Sequence, residues 1–582
     1  MDFSLAGRFT TFEIRAFVVT AIVIAAAWFW PRAGSGLFSR IERAGSRLSL
    51  RKTACWMGMG VLLIAMRLAL WPIEKAPVPR IQDEFSYLLA ADTFVHGRLT
   101  NPTPPYWVFF ETVFVNMRPT YMSKYMPGQG AALAAGQLLG HPWIGVLLSV
   151  AAMCAAITWM LQGWLPPRWA LLGGLLVVSR FFFGFGYDMN YWLESYWGGA
   201  VAATGGALAL GALPRILRRG GWRQGAVLGL GVAILVFSRP YEGAVLCVPL
   251  AAALGWRVLR EREGLRRMAP AMAAAGCVLG AAGAFLAYYN WRGTGDPFLL
   301  PYVLNDRTYL STPNFVWQSM GPPLTYRTPQ FDAVFNTWCR MLWSRDRLAL
   351  SWNGIRWGLL RKLDLIQTFY FPASLGLMVL VTFWRLLKNR KARFLIAVWL
   401  SIAAGVALTV WFQRHYPAPA TAAAFGLMVF AIRSLRQWKP GGRPVGLGMS
   451  RALVGLYFAF IPVNMSLSWH DHTIANECWW ACTRAGFEEQ LRAMPGKHLI
   501  VVRYTTQHHP GKEWVFNGAD MEGAKVLWAR EVPGADMAGF LACFKDRRLW
   551  LVEPDKEPPT LEELKGDARQ TLIDAAVAPP PR

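Results

Sequence analysis

Asp83 and Glu84 stand side by side, a third acid stands at Glu111, and Ser123-Lys124-Tyr125 follows closely. A carboxylate can take the proton from an acceptor hydroxyl as its oxygen attacks a carbon. A cation can stabilise a phosphate as it leaves and gains charge. Two acids, a Lys and a set of aromatics on one segment are what moving a sugar from a lipid phosphate onto a hydroxyl requires. Taken alone, an Asp-Glu pair just beyond an apolar run is also an ordinary solvated helix start, so its meaning depends on the elements that carry it.

Of the 582 residues, 54% are hydrophobic and 16% charged, against about a quarter charged in an average soluble domain. That composition excludes a soluble multidomain enzyme. With 29 Trp, 34 Phe, 54 Gly and a mean hydropathy of +0.27, the chain reads as a polytopic α-helical membrane protein. Apolar runs near spanning length fall at about 16–30, 53–73, 143–162, 169–187, 195–213, 224–238, 243–256, 270–290, 366–384, 394–412, 417–432 and 452–468, which predicts about twelve transmembrane helices. The first is followed by a basic segment without a small-residue cleavage pattern, so it is expected to be a retained span.

The formal charge of +25 would mark a nucleic-acid binder in a soluble protein. Its distribution says otherwise. The segments 31–52, 163–168, 214–224, 256–268, 385–393 and 433–451, which fall on one side if twelve spans alternate, are each net positive and together hold +23 of the charge. The positive-inside rule assigns them to the cytoplasm, and no nucleic-acid partner is expected. Segments 74–142 and 291–365, the turns near 188–194, 239–242 and 413–416, and the tail 469–582 then face the opposite, extracytoplasmic compartment. Within 74–142, stretches 84–96 and 129–139 are apolar-periodic but too short to span, and read as interfacial helices. The amphipathic, Arg-rich stretch from Arg340 through Lys362 reads as resting on headgroups or holding a lipid phosphate.

The tail changes character. Helix-like runs at 484–494 and 535–545 with strand-like runs at 497–503, 525–529 and 548–553 read as a small C-terminal α/β domain, with a ragged end after 553. There is no internal repeat and no Gly-rich phosphate loop. Cys55, Cys154, Cys247 and Cys277 lie in spans as packing residues. Cys478 and Cys482 are spaced to bridge, or to bind metal with His470-Asp471-His472, but the spacing of a structural zinc site is absent, and a polar interfacial collar is the preferred reading.

No Asp or Glu falls inside the twelve runs, which argues against a proton-coupled carrier. Arg67 and Arg180 are the charges inside them. Both lie near span ends and can snorkel; Arg67 can instead face a cavity. Tyr187-Asp188-Met189-Asn190-Tyr191-Trp192-Leu193-Glu194 is dense in aromatics that suit an interfacial belt or a sugar face, with Asp188 and Glu194 less easily assigned to a belt. Ser238-Arg239-Pro240-Tyr241-Glu242 places Arg239 and Glu242 in a short hairpin, as an ion pair fixing the turn or as a donor-phosphate contact.

Asp83-Glu84 with Tyr87 and the Ala-rich helix after them resembles the first-loop acidic motif of the C-type glycosyltransferase (GT-C) superfamily, in the family 39-like branch of the protein O-mannosyltransferases and the lipid A aminoarabinose transferase. Phe109-Phe110-Glu111 resembles that branch's second acid. Lys124-Tyr125-Met126-Pro127-Gly128 resembles its basic segment, with Met126 where a Pro is usual, and Arg414-His415-Tyr416-Pro417-Ala418-Pro419 resembles the element opening a late span. The likeness covers roughly residues 53–435.

The resemblance implies a polyprenyl-phosphate-linked sugar donor, an inverting displacement, and an extracytoplasmic tail. Carried over, Asp83 is the expected general base and Glu111 a second acid, while Lys124 and Arg414 face the donor phosphate. Glu84, Tyr87, Tyr125, Asp188, Arg239, Glu242, His415 and Tyr416 are the remaining expected substrate contacts. The expected division is 1–52 as an extra span and basic loop, 53–468 as the transmembrane domain, and 469–582 as the extracytoplasmic domain, in the plasma (inner) membrane. No cofactor or metal is expected. The partners are the bilayer, the polyprenyl-phosphate sugar, and an acceptor protein, lipid or glycan. The extra first span departs from the family's arrangement, which starts in the cytoplasm. A lipid-linked glycan flippase or carrier, and a non-catalytic scaffold presenting the tail, are the competing readings.

Overall fold

In the computed structural model, residues 11–182, 191–261, 264–474, 479–566 and 572–573 are described, with side chains except at 11–17 and 463–479. Helices dominate the chain in the order α1 (Thr11–Phe29), α2 (Ser35–Ser49), α3 (Lys52–Ala69), α4 (Gln82–Val95), α5 (Pro127–Leu138), α6 (Pro142–Trp164), α7 (Pro167–Phe182), α8 (Ala200–Arg219), α9 (Trp222–Ser238), α10 (Pro240–Arg260), α11 (Gly264–Thr294) and α12 (Pro301–Tyr309). Later helices include Arg361–Tyr370, Ala373–Lys388, Arg390–Ala407, Thr421–Arg436 and Val445–Ile474.

Each of the twelve apolar runs overlaps a helix among the described residues. Among the described residues, seven helices are long and apolar enough to cross a membrane, or eight if one bent pair is taken as a single span. Thr421–Arg436 is buried nearly all round and forms the centre of the bundle, whereas α11 has only Gly264, Met268, Ala271, Ala275, Tyr289, Asn290 and Gly293 buried. Outward-facing apolar side chains such as Leu259, Val381, Trp384 and Leu400 leave an apolar perimeter that water would not tolerate and lipid solvates. The chain is a multi-pass membrane protein.

Three boundaries differ from the sequence reading. The run 366–384 is not one straight span: it breaks at Phe371-Pro372, and the helices on either side, Trp352–Tyr370 and Ala373–Lys388, are bent by 111°. Pro372 lacks an N–H and disfavours helical geometry at the residue before it. The run expected from 195 begins as a helix at Ala200; residues before it form a loop that turns toward α4. The tail after 553 is not wholly ragged, because Thr560–Glu563 pairs antiparallel with Arg547–Glu553.

The interfacial stretches fold as α4 and α5, tied by short strands β1 (Val115–Asn116) and β2 (Met122–Ser123), which pair antiparallel. Close backbone approach fixes α5. A Cβ on Gly145 would lie 2.0 Å from the Ala132 carbonyl oxygen, and one on Gly128 would lie 2.7 Å from that of Phe237. In the tail, β3 (Lys497–Val502), β4 (Val526–Arg530), β5 (Arg547–Glu553) and β6 (Thr560–Glu563) form one sheet in the order β4-β3-β5-β6, parallel except for β6. Helices Trp479–Ala493 and Met537–Cys543 accompany it.

This sheet unit packs directly on α4 and the segment after it. Phe85 stacks on Phe516 with centroids 4.3 Å apart, and Phe109 stacks on Phe540 at 4.2 Å. The Ala519 amide donates to Asp92 Oδ2 at 2.7 Å, and the Tyr121 hydroxyl to the Asn517 carbonyl at 2.9 Å. Cys482 is disulfide-bonded; Cys478 lies outside the described residues, and nothing is described of the side chains of His470, Asp471 and His472.

Candidate active site

Helix α4 starts from Ile81, whose backbone is extended, and carries Asp83 and Glu84 in its first turn, where negative charge suits the helix dipole. Successive helical side chains diverge by about 100°, so the two acids meet different surroundings. Asp83 Oδ1 accepts a hydrogen bond from the Tyr125 hydroxyl, and Tyr125 stacks on Tyr87 with centroids 4.4 Å apart. Burial raises the Asp83 carboxyl above the ordinary carboxylate range, against the opposing pull of Tyr125, Lys124 and Arg239. One carboxylate oxygen is thus committed to Tyr125.

Lys124 is set by an unusual turn. Phe114 adopts φ 64°, which costs a non-glycine residue roughly 1–2 kcal/mol and tends to persist where the surroundings over-determine it. Here they do. The Phe114 carbonyl accepts from the Ser86 hydroxyl at 2.7 Å and from the Lys124 amide at 3.2 Å, while its ring lies 4.2 Å beneath the Lys124 ammonium. Lys124 Nζ also stands 3.6 Å from Asp306 Oδ1, and Asp306 Oδ2 is held by Asn314 at 2.9 Å. Asp306, on α12, had no assignment in the sequence. The signal was faint: an Asn305-Asp306-Arg307 run in the second long segment.

Arg239 sits between α9 and α10, with its guanidinium 3.7 Å from Glu242 Oε1 and 4.3 Å over the Tyr416 ring. Its charge, with that of Lys124, acts on Asp83. Asp83, Tyr87, Lys124, Tyr125, Arg239, Glu242 and Tyr416 therefore come together at one end of the bundle. His415, fully enclosed, has Nδ1 3.0 Å from the Tyr191 hydroxyl; burial and the Arg239 charge drive its pKa well below the ordinary histidine value, which keeps it neutral. The Arg414 carbonyl accepts from the Tyr370 hydroxyl at 2.9 Å. Asp188 lies outside the described residues.

Glu84 turns from this group toward the loop before α8. It is buried, accepting from the Arg80 amide at 3.1 Å and from the Tyr196 amide at 2.9 Å. Burial outweighs these bonds and brings its pKa up to about 7. Folding therefore favours the protonated carboxyl, and this contribution to stability is present at low pH and lost as pH rises through about 7. Glu84→Gln is expected to flatten that loss: relative to the variant, the wild-type melting temperature falls between pH 5 and 8, and parallel curves would count against the assignment.

Glu111 heads a separate cluster. The Tyr309 hydroxyl donates to its Oε1 at 2.9 Å, Arg327 Nη1 lies 3.9 Å away, and the charge of Glu111 is felt by the fully buried Arg530 of β4. Arg530 is itself paired with Glu513 at 2.7 Å. Among the described residues, no three His, Cys, Asp or Glu are grouped to hold a metal ion.

No protein-family model matches the sequence, and no curated protein matches it. Among solved structures, the chain is similar to the oligosaccharyltransferase of Archaeoglobus fulgidus tethered to an acceptor peptide, at 12% identity over 86% of this chain and 69% of that one, with a TM-score of 0.45. It is also similar to ArnT from Cupriavidus metallidurans bound to undecaprenyl phosphate, at 11% identity over 85% of this chain and 93% of that one, with a TM-score of 0.48. At these values the likeness is distant. What the site does is read from this chain's own residues.

The two arginines inside the spans do not snorkel. Arg67 is buried and makes a bidentate pair with Glu194, Nε to Oε1 at 2.7 Å and Nη2 to Oε2 at 3.0 Å. It also donates to the carbonyls of Glu74 and Lys75 and lies 4.5 Å over the Trp143 ring. Arg180 donates to the carbonyls of Thr368 and Phe369. Arg180 spends its donors on carbonyls in the last turn of a helix, and Arg67 divides its donors between a carboxylate and two backbone carbonyls. The stretch from Arg340 to Lys362 likewise turns partly inward: Arg340 binds the Ser311 hydroxyl and the Gly321 carbonyl, and the buried Lys362 donates to the carbonyls of Val406 and Thr409.

Proposed function

We propose that the protein is an integral membrane glycosyltransferase, moving a sugar from a polyprenyl-phosphate-linked donor to an acceptor hydroxyl on the extracytoplasmic side. The observation that carries this reading is a carboxylate with one oxygen held by Tyr125 and two cations, Lys124 and Arg239, acting on it. Asp83 takes the acceptor's proton while the acceptor oxygen forms its bond to the anomeric carbon. The bond from that carbon to the phosphate oxygen breaks, its electron pair leaves with the polyprenyl phosphate, and Lys124 and Arg239 meet the growing negative charge. Attack opposite the leaving group inverts the anomeric centre. Glu242 and Asp306 hold the two cations in place, and Glu111, with Tyr309 and Arg327, is assigned to the acceptor or the sugar.

The positive segments support a cytoplasmic face opposite this site, twelve spans, and the tail 469–582 as an extracytoplasmic α/β domain. Two features bear against a carrier: the in-span arginines are held by Glu194 and backbone carbonyls, and among the described residues no acid lies on the central helix Thr421–Arg436. In a strain lacking the gene, mass spectrometry of membrane lipids is expected to show an accumulating polyprenyl-phosphate sugar, whose sugar is the one transferred. An unchanged lipid-linked sugar pool would overturn the donor assignment.

A further inference from the structure

At the bundle end opposite Asp83 lies a cavity of about 360 Å³ lined by Lys52, Trp56, Trp159, Arg215, Arg218 and Arg219, with Thr53, Gln162, Gly163 and Gln224. Lys52 opens α3 and Asp83 lies beyond its far end, so the length of that helix, about 27 Å over its 18 residues at 1.5 Å per residue, separates the two. The cavity is therefore independent of the proposed active site.

Its walls carry four positive charges and no carboxylate. Among the described residues, none of the four is ion-paired. Elsewhere on this end one acid compensates two arginines: Glu42 pairs with Arg436 at 2.8 Å and with Arg451 at 2.9 Å, and burial, outweighed by these two guanidinium groups, leaves its carboxyl at about 2. Arg436 belongs to the smaller neighbouring cavity with Arg168 and Arg433, so that cavity has an acid at its edge and this one does not.

Two of the guanidinium groups are also held in place. Arg215 donates to the Gly211 carbonyl at 2.6 Å and to the Trp159 carbonyl at 2.8 Å, and lies 3.8 Å over the Trp159 ring. Arg218 donates to the Gly163 carbonyl at 2.5 Å. Such bonds go to backbone carbonyls of α6 and α8 and neutralise no charge. Four unpaired cations, two of them tied to backbone and three reaching the surface, beside tryptophans at a membrane boundary are matched by a phosphodiester anchored in the bilayer. We propose that this cavity binds the headgroup of an anionic phospholipid, whose acyl chains remain in the surrounding lipid.

The test uses the full-length protein in nanodiscs of phosphatidylcholine with a minor fraction of phosphatidylglycerol, with retained lipid counted by native mass spectrometry. Wild type is expected to retain phosphatidylglycerol over phosphatidylcholine, and Arg218→Gln with Arg219→Gln to lower that preference about 30-fold. Arg219 is exposed, so Arg219→Gln alone keeps the test open should the double variant not fold; about a fivefold loss is expected. Millimolar inorganic phosphate is expected not to displace the lipid. Equal retention by wild type and the Arg219→Gln variant, no preference for phosphatidylglycerol, or displacement by free phosphate would each overturn the proposal, the last by making this a site for a soluble anion.

Discussion

Asp83→Asn is expected to lower the transfer rate by about 10²–10⁴-fold, the range a positioned general base contributes, with membrane expression unchanged. The amide keeps a carbonyl oxygen for the Tyr125 hydroxyl and so preserves the local geometry, but it cannot accept the acceptor's proton. Burial raises the Asp83 carboxyl, and the base must be ionised to act. The acidic limb of kcat/KM in wild type therefore lies above the ordinary carboxylate range, and activity rises as pH rises through it. The same raised pKa means that ionised Asp83 weakens the fold at neutral pH, so the Asn variant should melt no lower than wild type. Transfer measured with purified protein and a polyprenyl-phosphate sugar decides the matter: full activity in this variant sinks the catalytic assignment, and loss of activity with a lower melting temperature would point to a structural role.

Arg67→Met carries the second large effect, and on stability. It leaves Glu194 partly buried without its bidentate partner and strips the Glu74 and Lys75 carbonyls of a donor. Removing one partner of a buried pair costs about 3–5 kcal/mol, whereas replacing both by apolar groups is often close to neutral. Glu194 keeps some exposure, 17% of its side chain, which places the expectation near the lower figure. Arg67→Met with Glu194→Met should recover much of the loss. Unfolding titrations in detergent micelles measure both, and equal stability of wild type and the single variant would show that the pair holds nothing together.

Helix positions were legible because a span needs a long apolar run and little else; each of the twelve runs overlaps a helix among the described residues. The break at Pro372 was not read from the run 366–384, because Pro214, Pro249, Pro270 and Pro462 lie inside helices that continue through them. Asp83, Lys124 and Tyr125 could be read as a group because they share one segment. What could not be read was direction. Asp83 and Glu84 are adjacent in sequence, and only the helix phase sends one toward Tyr125 and the other toward Tyr196. Asp306 reaches Lys124 from a different segment, through a pairing that no local pattern encodes. The burial of Arg67 likewise depends on Trp143 and Glu194, which are far from it along the chain.

The stack of Phe85 on Phe516, two residues from Asp83, has a mechanical consequence. The tail grips α4 at Phe85 and again at Asp92, so helix and tail form a single lever with Asp83, the proposed base, on its short arm. Cutting away residues 469–582 would unseat Asp83 even if the tail took no part in chemistry. A truncation thus cannot distinguish an enzyme from a scaffold in this protein, and only point substitutions that leave the lever whole can do so.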